Sequence, residues 1–188
     1  MILFGIAKKL IDKISFGFWT IFLTFYSWAN LTHAFKSLIS GINPYGRIRF
    51  SFYIPSTGEV TWEGWRPNMV VETGRYHVAD QLSGKLEAQM SHMAVGFGTT
   101  AVLAVDKVLD IEVDRLPLDS ITQGLDTAAN QVTYRCTWPA DGITGPITEA
   151  GLFNSGSAGI MFCRSVFAVK NKEEGEAMVM DWILTISS

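Results

Sequence analysis

Apolar and polar residues alternate along most of the chain. Residues 47–53, RIRFSFY, and residues 59–65, EVTWEGW, keep a period of two, and IPSTG between them supplies a turn. The pair predicts a β-hairpin with one aromatic face built from Phe50, Phe52, Val60, Trp62 and Trp65. A lone hairpin is marginal in water, so this one must join a larger sheet or a partner. Residues 68–71 read as a short strand. Residues 72–82, ETGRYHVADQL, read as a helix with Thr73 as N-cap and Tyr76, Ala79 and Leu82 on its buried face.

His92, Met93, Ala94 and Val95 form an apolar strand, and in the GFGTT that follows, Gly96 and Gly98 are expected to serve as a structural turn. Leu109, Ile111, Val113 and Leu116 then alternate with Asp110, Glu112, Asp114 and Arg115, the pattern of a half-buried strand. Residues 122–130 read as a polar loop. QVTYRCTW at residues 131–138 alternates again, with Val132, Tyr134, Cys136 and Trp138 on one face. ITEAGLF, IMFCRSVFAV and AMVMDWILTI add three strands, separated by a turn over residues 154–159 and a charged loop over residues 170–175. Five to seven short strands at turn-punctuated intervals predict a mainly β protein, an antiparallel β-sandwich with a short helix.

The first residues follow a different pattern and predict an apolar α-helical segment in front of the sandwich. Lys8, Lys9, Asp12 and Lys13 lie on one side of an amphipathic helix, with Leu3, Ile6, Leu10 and Ile14 on the other. Residues 14–34, ISFGFWTIFLTFYSWANLTHA, carry no formal charge. Gly17, Thr20, Thr24 and Ser27 recur at helical spacing as a narrow stripe of small side chains. Phe18, Trp19, Phe22, Phe25, Tyr26 and Trp28 crowd the rest and form the expected docking interface. Three readings fit such a run. A lysine-bearing start, an apolar core and Ser27-Trp28-Ala29 resemble a secretory signal, and the length just reaches that of a membrane-crossing helix. The reading adopted is a helix wedged between protein subunits, with membrane insertion second. Asn43-Pro44 is the breaker that divides residues 1–43, the docking or anchor segment, from residues 44–188, the sandwich. Within the latter, residues 44–67 are the hairpin, 68–84 the strand and helix, and 85–188 the core strands.

A formal charge of −3 on 188 residues provides no basic face for holding nucleic acid by counterion release. Charged residues make up 18% of the chain, below the roughly 25% of ordinary soluble domains. The shortage suggests surfaces covered by something other than water. Cys136 and Cys163 do not make a disulfide framework or a zinc site and are read as small strand residues.

No catalytic residue, cofactor site or metal site is assigned. Gly96-Phe97-Gly98 lacks the third glycine, the lysine and the helix of a phosphate loop. Asp106, Asp110, Glu112 and Asp114 lack calcium-loop spacing, and strand alternation would put the last three on one solvated or interface face. His33, His77 and His92 form no zinc-binding pattern, and Ser120, Ser155 and Ser165 sit in no nucleophile elbow. Glu149 stands out, a carboxylate in an apolar strand that is expensive to bury unless paired. Arg115 or Arg164 can supply a structural ion pair.

HMAVGFGTT, the E-V-x-R of Glu112 to Arg115, and ITEAGLFN at residues 147–154, followed by two more apolar strands, are similar to a family of tailed-bacteriophage virion proteins. Its best-known relatives are the N-terminal attachment modules of phage tail-collar fibres. The resemblance spans residues 68–186 and departs from the family at residues 101–106, AVLAVD, more apolar than the proline-containing, alanine-rich run expected there. It implies a virion structural protein that self-associates as a homotrimer and docks to tail, neck or adaptor proteins through residues 1–39. Two other readings stand beside it: a capsid decoration (cement) protein, and, from a different class, a membrane-anchored binding protein displaying Trp62, Trp65 and Phe97.

Overall fold

The alternating runs pair into more strands than the sequence pattern predicts. The computed structural model describes residues Asn43–Ser187. The expected docking segment, including Phe18, Trp19, Phe22, Phe25, Tyr26 and Trp28, lies outside the described residues. In chain order the elements are β1 (Asn43–Ile54), β2 (Glu59–Pro67), β3 (Met69–Val70), α1 (Glu72–Leu82), β4 (His92–Gly96), β5 (Glu112–Pro117), β6 (Ser120–Gln123), a 3-10 turn (Asp126–Ala128), β7 (Gln131–Trp138), β8 (Gly145–Phe153), β9 (Met161–Lys172) and β10 (Ala177–Ser187).

Two five-stranded antiparallel sheets result, ordered β2-β1-β10-β7-β6 and β3-β9-β8-β4-β5. Their facing sides share one core. Ile48, Phe50, Phe52, Cys136, Trp138, Met178, Met180 and Trp182 enter it from the first sheet, and Met93, Val95, Ala150, Leu152 and Cys163 from the second. Burying each large side chain contributes about 1.5–3 kcal/mol, so this layer is the main source of cohesion. Asn43 and Pro44 open β1, where proline's missing N–H does least harm to a ladder.

Several local expectations need correction. The β1–β2 hairpin does not have one aromatic face: Phe50, Phe52 and Trp62 pack inward, while Val60 and Trp65 are exposed. Trp62 pairs with Phe52 and Val60 with Tyr53, so Thr61 is an extra residue that reverses the alternation, and Trp65 has the opposite parity to Trp62. The Arg47 guanidinium covers Trp65 at 4.4 Å.

Helix α1 has the expected bounds but a different buried face. Gly74 and His77 face inward, whereas Tyr76 and Leu82 are exposed. A Cβ on Gly74 would collide with the Phe162 carbonyl, so this glycine lets the helix lie against β9 and sets its rotation. Val71, not Thr73, is the N-cap, and the Thr73 hydroxyl instead donates to the Met161 carbonyl at 2.6 Å.

Part of the polar loop expected at residues 122–130 is strand β6, paired along β7 with Ile121 opposite Tyr134. Short polar residues carry no burial signal on an edge strand, where only one side is bonded. The half-buried strand expected from Leu109 starts only at Glu112. Val113 is the extra residue of a bulge opposite Val95 and Gly96, and Ile111 and Val113 face solvent.

Candidate functional site: a buried carboxylate beneath an apolar loop

The second sheet is covered on both sides. Along β4, Met93 and Val95 enter the shared core while Ala94 belongs to a second cluster with Val71, Leu109, Phe153 and Met161. Along β8, Ala150 and Leu152 point to the shared core while Glu149, Gly151 and Phe153 alternate to the other face. That outer face is roofed by the loop between β4 and β5. Its floor is made of small residues: a Cβ on Gly96 would strike the Ile111 carbonyl and Glu149, and one on Gly151 would come within 3.0 Å of the Leu109 side chain. In HMAVG, then, Met93 and Val95 face the core while the small Ala94 and Gly96 lie under the loop, and in TEAGL Gly151 leaves the space that Leu109 fills.

Glu149 holds the roof down. It is fully buried, and its Oε1 accepts from the Gly98 amide at 3.1 Å and the Ile111 amide at 2.7 Å. Oε2 accepts from the Asp110 amide at 3.0 Å and from Nε and Nη2 of Arg164 at 3.0 and 2.8 Å. Five donors surround one carboxylate, the condition under which a buried charge is tolerable. Gly98 cannot be larger, because its Cβ would lie against Glu149 and 2.5 Å from the Asp110 Cβ. Neither Gly96 nor Gly98 has a positive φ, so it is the crowding by Glu149 and its neighbours, not backbone freedom, that requires glycine at both.

Arg164 carries the clamp further. Nη1 donates to Asp106 at 2.7 Å and Nη2 to the Thr100 carbonyl at 3.3 Å. Asp106 also accepts from the Leu103 amide at 2.9 Å, Thr148 donates to the Gly98 carbonyl at 2.8 Å, and the Ala104 carbonyl receives the Glu72 amide at 2.8 Å. One loop is thus tied to β8, β9 and the start of α1. Its outer surface carries Leu103, Val105, Val108 and Ile111, each more than half exposed.

Arg115 is not the partner of Glu149. It makes a two-pronged pair with Glu112 at 2.8 and 2.6 Å, donates to the Ser155 and Ala158 carbonyls, and lies 3.6 Å over the Phe153 ring. It therefore clamps the β8–β9 turn. The acidic residues of the region are bound locally: Asp106 meets Arg164, Asp110 accepts from the Thr100 hydroxyl at 2.7 Å, and Glu112 meets Arg115. Among the described residues no group of three His, Cys, Asp or Glu side chains converges to hold a metal.

Sequence reasoning missed Asp181, the second buried carboxylate. It stands between Arg49 on β1 and Arg135 on β7 in a single cross-strand row, accepting from Arg49 at 2.7 Å and from Arg135 at 2.7 and 2.9 Å. Burial works to raise this carboxyl, but the hydrogen bonds from Arg135 and Arg49 outweigh it and hold it below the ordinary aspartate value. The signal was present: Asp181 is the one charge in AMVMDWILTI. Its partners were hidden because they lie 132 and 46 residues away in the chain.

Both thiols are buried core groups. Burial pushes Cys136 up to about 12 and Cys163 well above its usual value, so neither is a nucleophile at neutral pH. What the arrangement around Glu149 produces is a loop bonded from below with an apolar outer surface. Comparison with protein-family models, with curated proteins and with solved structures finds no match.

Proposed function

We propose that this protein is a structural component of a tailed-bacteriophage virion, a fibre-type attachment module of the tail or neck that self-associates as a trimer and docks to the particle through its aromatic N-terminal segment. The observation that carries this reading is the loop pinned by Glu149. Several exposed apolar side chains are held on a roof whose backbone is bonded from below, which removes in advance much of the ordering cost that association would otherwise incur. The motifs similar to the phage family, HMAVGFGTT and ITEAGLFN, supply the strands beneath the roof, the start of the loop and the carboxylate that pins it, and residues 14–34 are apolar in sequence and carry no formal charge.

The test is the state of association. Sedimentation of the full chain is expected to show a discrete oligomer, and the double substitution Val105→Asp, Val108→Asp is expected to dissociate it into monomers that keep the β circular dichroism of the wild type and melt cooperatively at a lower midpoint. Trp19→Ser with Phe22→Ser is expected to leave the oligomer folded but prevent its incorporation into particles. A monodisperse wild-type monomer, or unchanged incorporation, would overturn the reading. Copy number distinguishes the capsid-decoration alternative: tens of copies or fewer per particle fit the tail or neck, and hundreds fit the head.

A further inference from the structure

Helix α1 is held to the second sheet by few contacts. Of its 11 residues only Gly74 and His77 are buried, and Val78 is partly so. Gly74 lies against the Phe162 carbonyl, the Thr73 hydroxyl donates to the Met161 carbonyl, and the His77 ring, 5% exposed, stands edge-on to Phe162 with centroids 6.2 Å apart. The large side chains Tyr76 and Leu82 add little, since both are exposed. On one side the helix borders an apolar cleft of about 290 Å³, so its packing there is not continuous. The docking of the whole helix therefore turns on one titratable ring.

That ring has no place for a second proton. An imidazolium carries N–H on both nitrogens, yet His77 Nδ1 is buried and meets no hydrogen-bond partner among the described residues. Charging the ring would bury a cationic donor with no acceptor, which is costly. The groups around it do not make up the loss. Asp80 on α1 and Glu87 just after it attract a proton, but Lys85 engages both, its Nζ 3.0 and 3.1 Å from their carboxylates. On β9, burial keeps Cys163 a neutral thiol, and Arg164 is bonded to Glu149 and Asp106. On β7, burial pushes the Tyr134 hydroxyl up to about 12, and the residues that β1 and β10 bring to the cleft, Pro44, Leu184 and Ile186, are uncharged. Burial accordingly holds the imidazole below its ordinary value, against the pull of Glu87 and Asp80.

We propose that α1 is an acid-released element: protonation of His77 undocks the helix from β9 and opens the cleft beside it, exposing Phe162 and Leu184 while both sheets stay intact. The direction follows from linkage. A histidine whose folded value is depressed contributes stability that is fully present above its unfolded value, near 6.5, and is lost as the pH falls toward the folded value. One proton taken up on release raises the opening constant about tenfold per pH unit within that window. Asp181, buried in the first sheet, responds only below about pH 4, so α1 leaves before that sheet is loosened. The device is independent of the assembly reading and stands or falls without it.

Hydrogen exchange of the full chain, followed amide by amide from pH 7.5 to pH 5 and corrected for the intrinsic pH dependence of exchange, is the test. Protection of the amides of residues 76–82 is expected to fall by about tenfold per pH unit once the pH is below about 6.5, while β7 and β8 keep theirs. His77→Phe keeps a ring against Phe162 and removes the proton site, so α1 protection is expected to stay flat over the same range, with His33 and His92 still present as controls. Should that variant dock the helix poorly even at pH 7.5, Lys85→Met decides: at an exposed position it frees Asp80 and Glu87 to meet the charged ring, and it is expected to shrink the loss. Protection of α1 that does not change with pH, a loss that persists in His77→Phe or is undiminished in Lys85→Met, or β7 and β8 opening in step with α1 overturns the proposal.

Discussion

Glu149 and Asp181 are both buried carboxylates in antiparallel sheets, and both are met by arginine, yet they do different work. Asp181 is bonded only to side chains, Arg49 and Arg135, on the strands to either side. Both arginines are partly exposed, so water can replace much of what they supply. Glu149 takes three of its five hydrogen bonds from backbone amides of one loop, and its arginine is itself buried. Losing Asp181 loosens a row of side chains, whereas losing Glu149 removes what determines the path of the chain above the sheet. A buried charge shapes a fold when its partners are main-chain groups with no other acceptor in reach.

The sharpest way to break this comparison is Glu149→Ala, which leaves three amides without an acceptor and Arg164 with Asp106 as its one carboxylate. With Arg164 still held by Asp106, the expected cost is about 1–3 kcal/mol for the amides left without an acceptor, read as a lowered urea midpoint, with faster hydrogen exchange at Gly98, Asp110 and Ile111. Unchanged exchange there would show that the loop holds its path without the carboxylate. Gly98→Ala comes next, at about 1–3 kcal/mol, because the new methyl group meets Glu149 and Asp110 with nowhere to go. Loss of stability should be accompanied by the same local exchange pattern, although the charge remains.

Asp181→Asn should be milder, about 1 kcal/mol, with no change of exchange in the loop. It also carries a pH signature. The folded carboxyl is depressed relative to its unfolded value near 3.9, so its contribution is fully present above about pH 4 and is lost as the pH falls through the folded pKa. Wild type and Asp181→Asn should therefore differ at pH 6 and converge below that range; a constant difference would remove the charge from the explanation. The smallest effect concerns the thiols. Iodoacetamide should label neither Cys136 nor Cys163 at pH 7.5 in the native protein, and Glu149→Ala should speed labelling of Cys163, next to Arg164, more than that of Cys136.

The bounds of α1, the β1–β2 hairpin and the strands β7, β8, β9 and β10 were legible because each is an alternating or apolar run set off by turn residues or a charged loop. The rotation of α1 was not, since it depends on Gly74 meeting the Phe162 carbonyl, a contact across 88 residues of chain. Nor was the outward turn of Ile111 and Val113: their alternation matches a half-buried strand, and only the bulge opposite Val95 and Gly96 reverses it. The importance of Glu149 could be read from its cost, while the choice between Arg115 and Arg164 depended on which strand lies beside β8. Strand β9 does, and β5 is separated from it by β4.

By itself the sequence determined that the described residues are mainly β, the stretches in which most strands lie, and that one carboxylate among apolar neighbours needs partners. These follow from local alternation and from the desolvation cost of a charge, both properties of short stretches of chain. Only the tertiary structure decided that there are two sheets of five strands, which face of each strand is roofed, and that the loop after GFG lies bonded to Glu149 with its apolar side chains outward. Strand order and the choice of ion-pair partner are set by contacts between residues far apart in sequence, and these have no local period to reveal them.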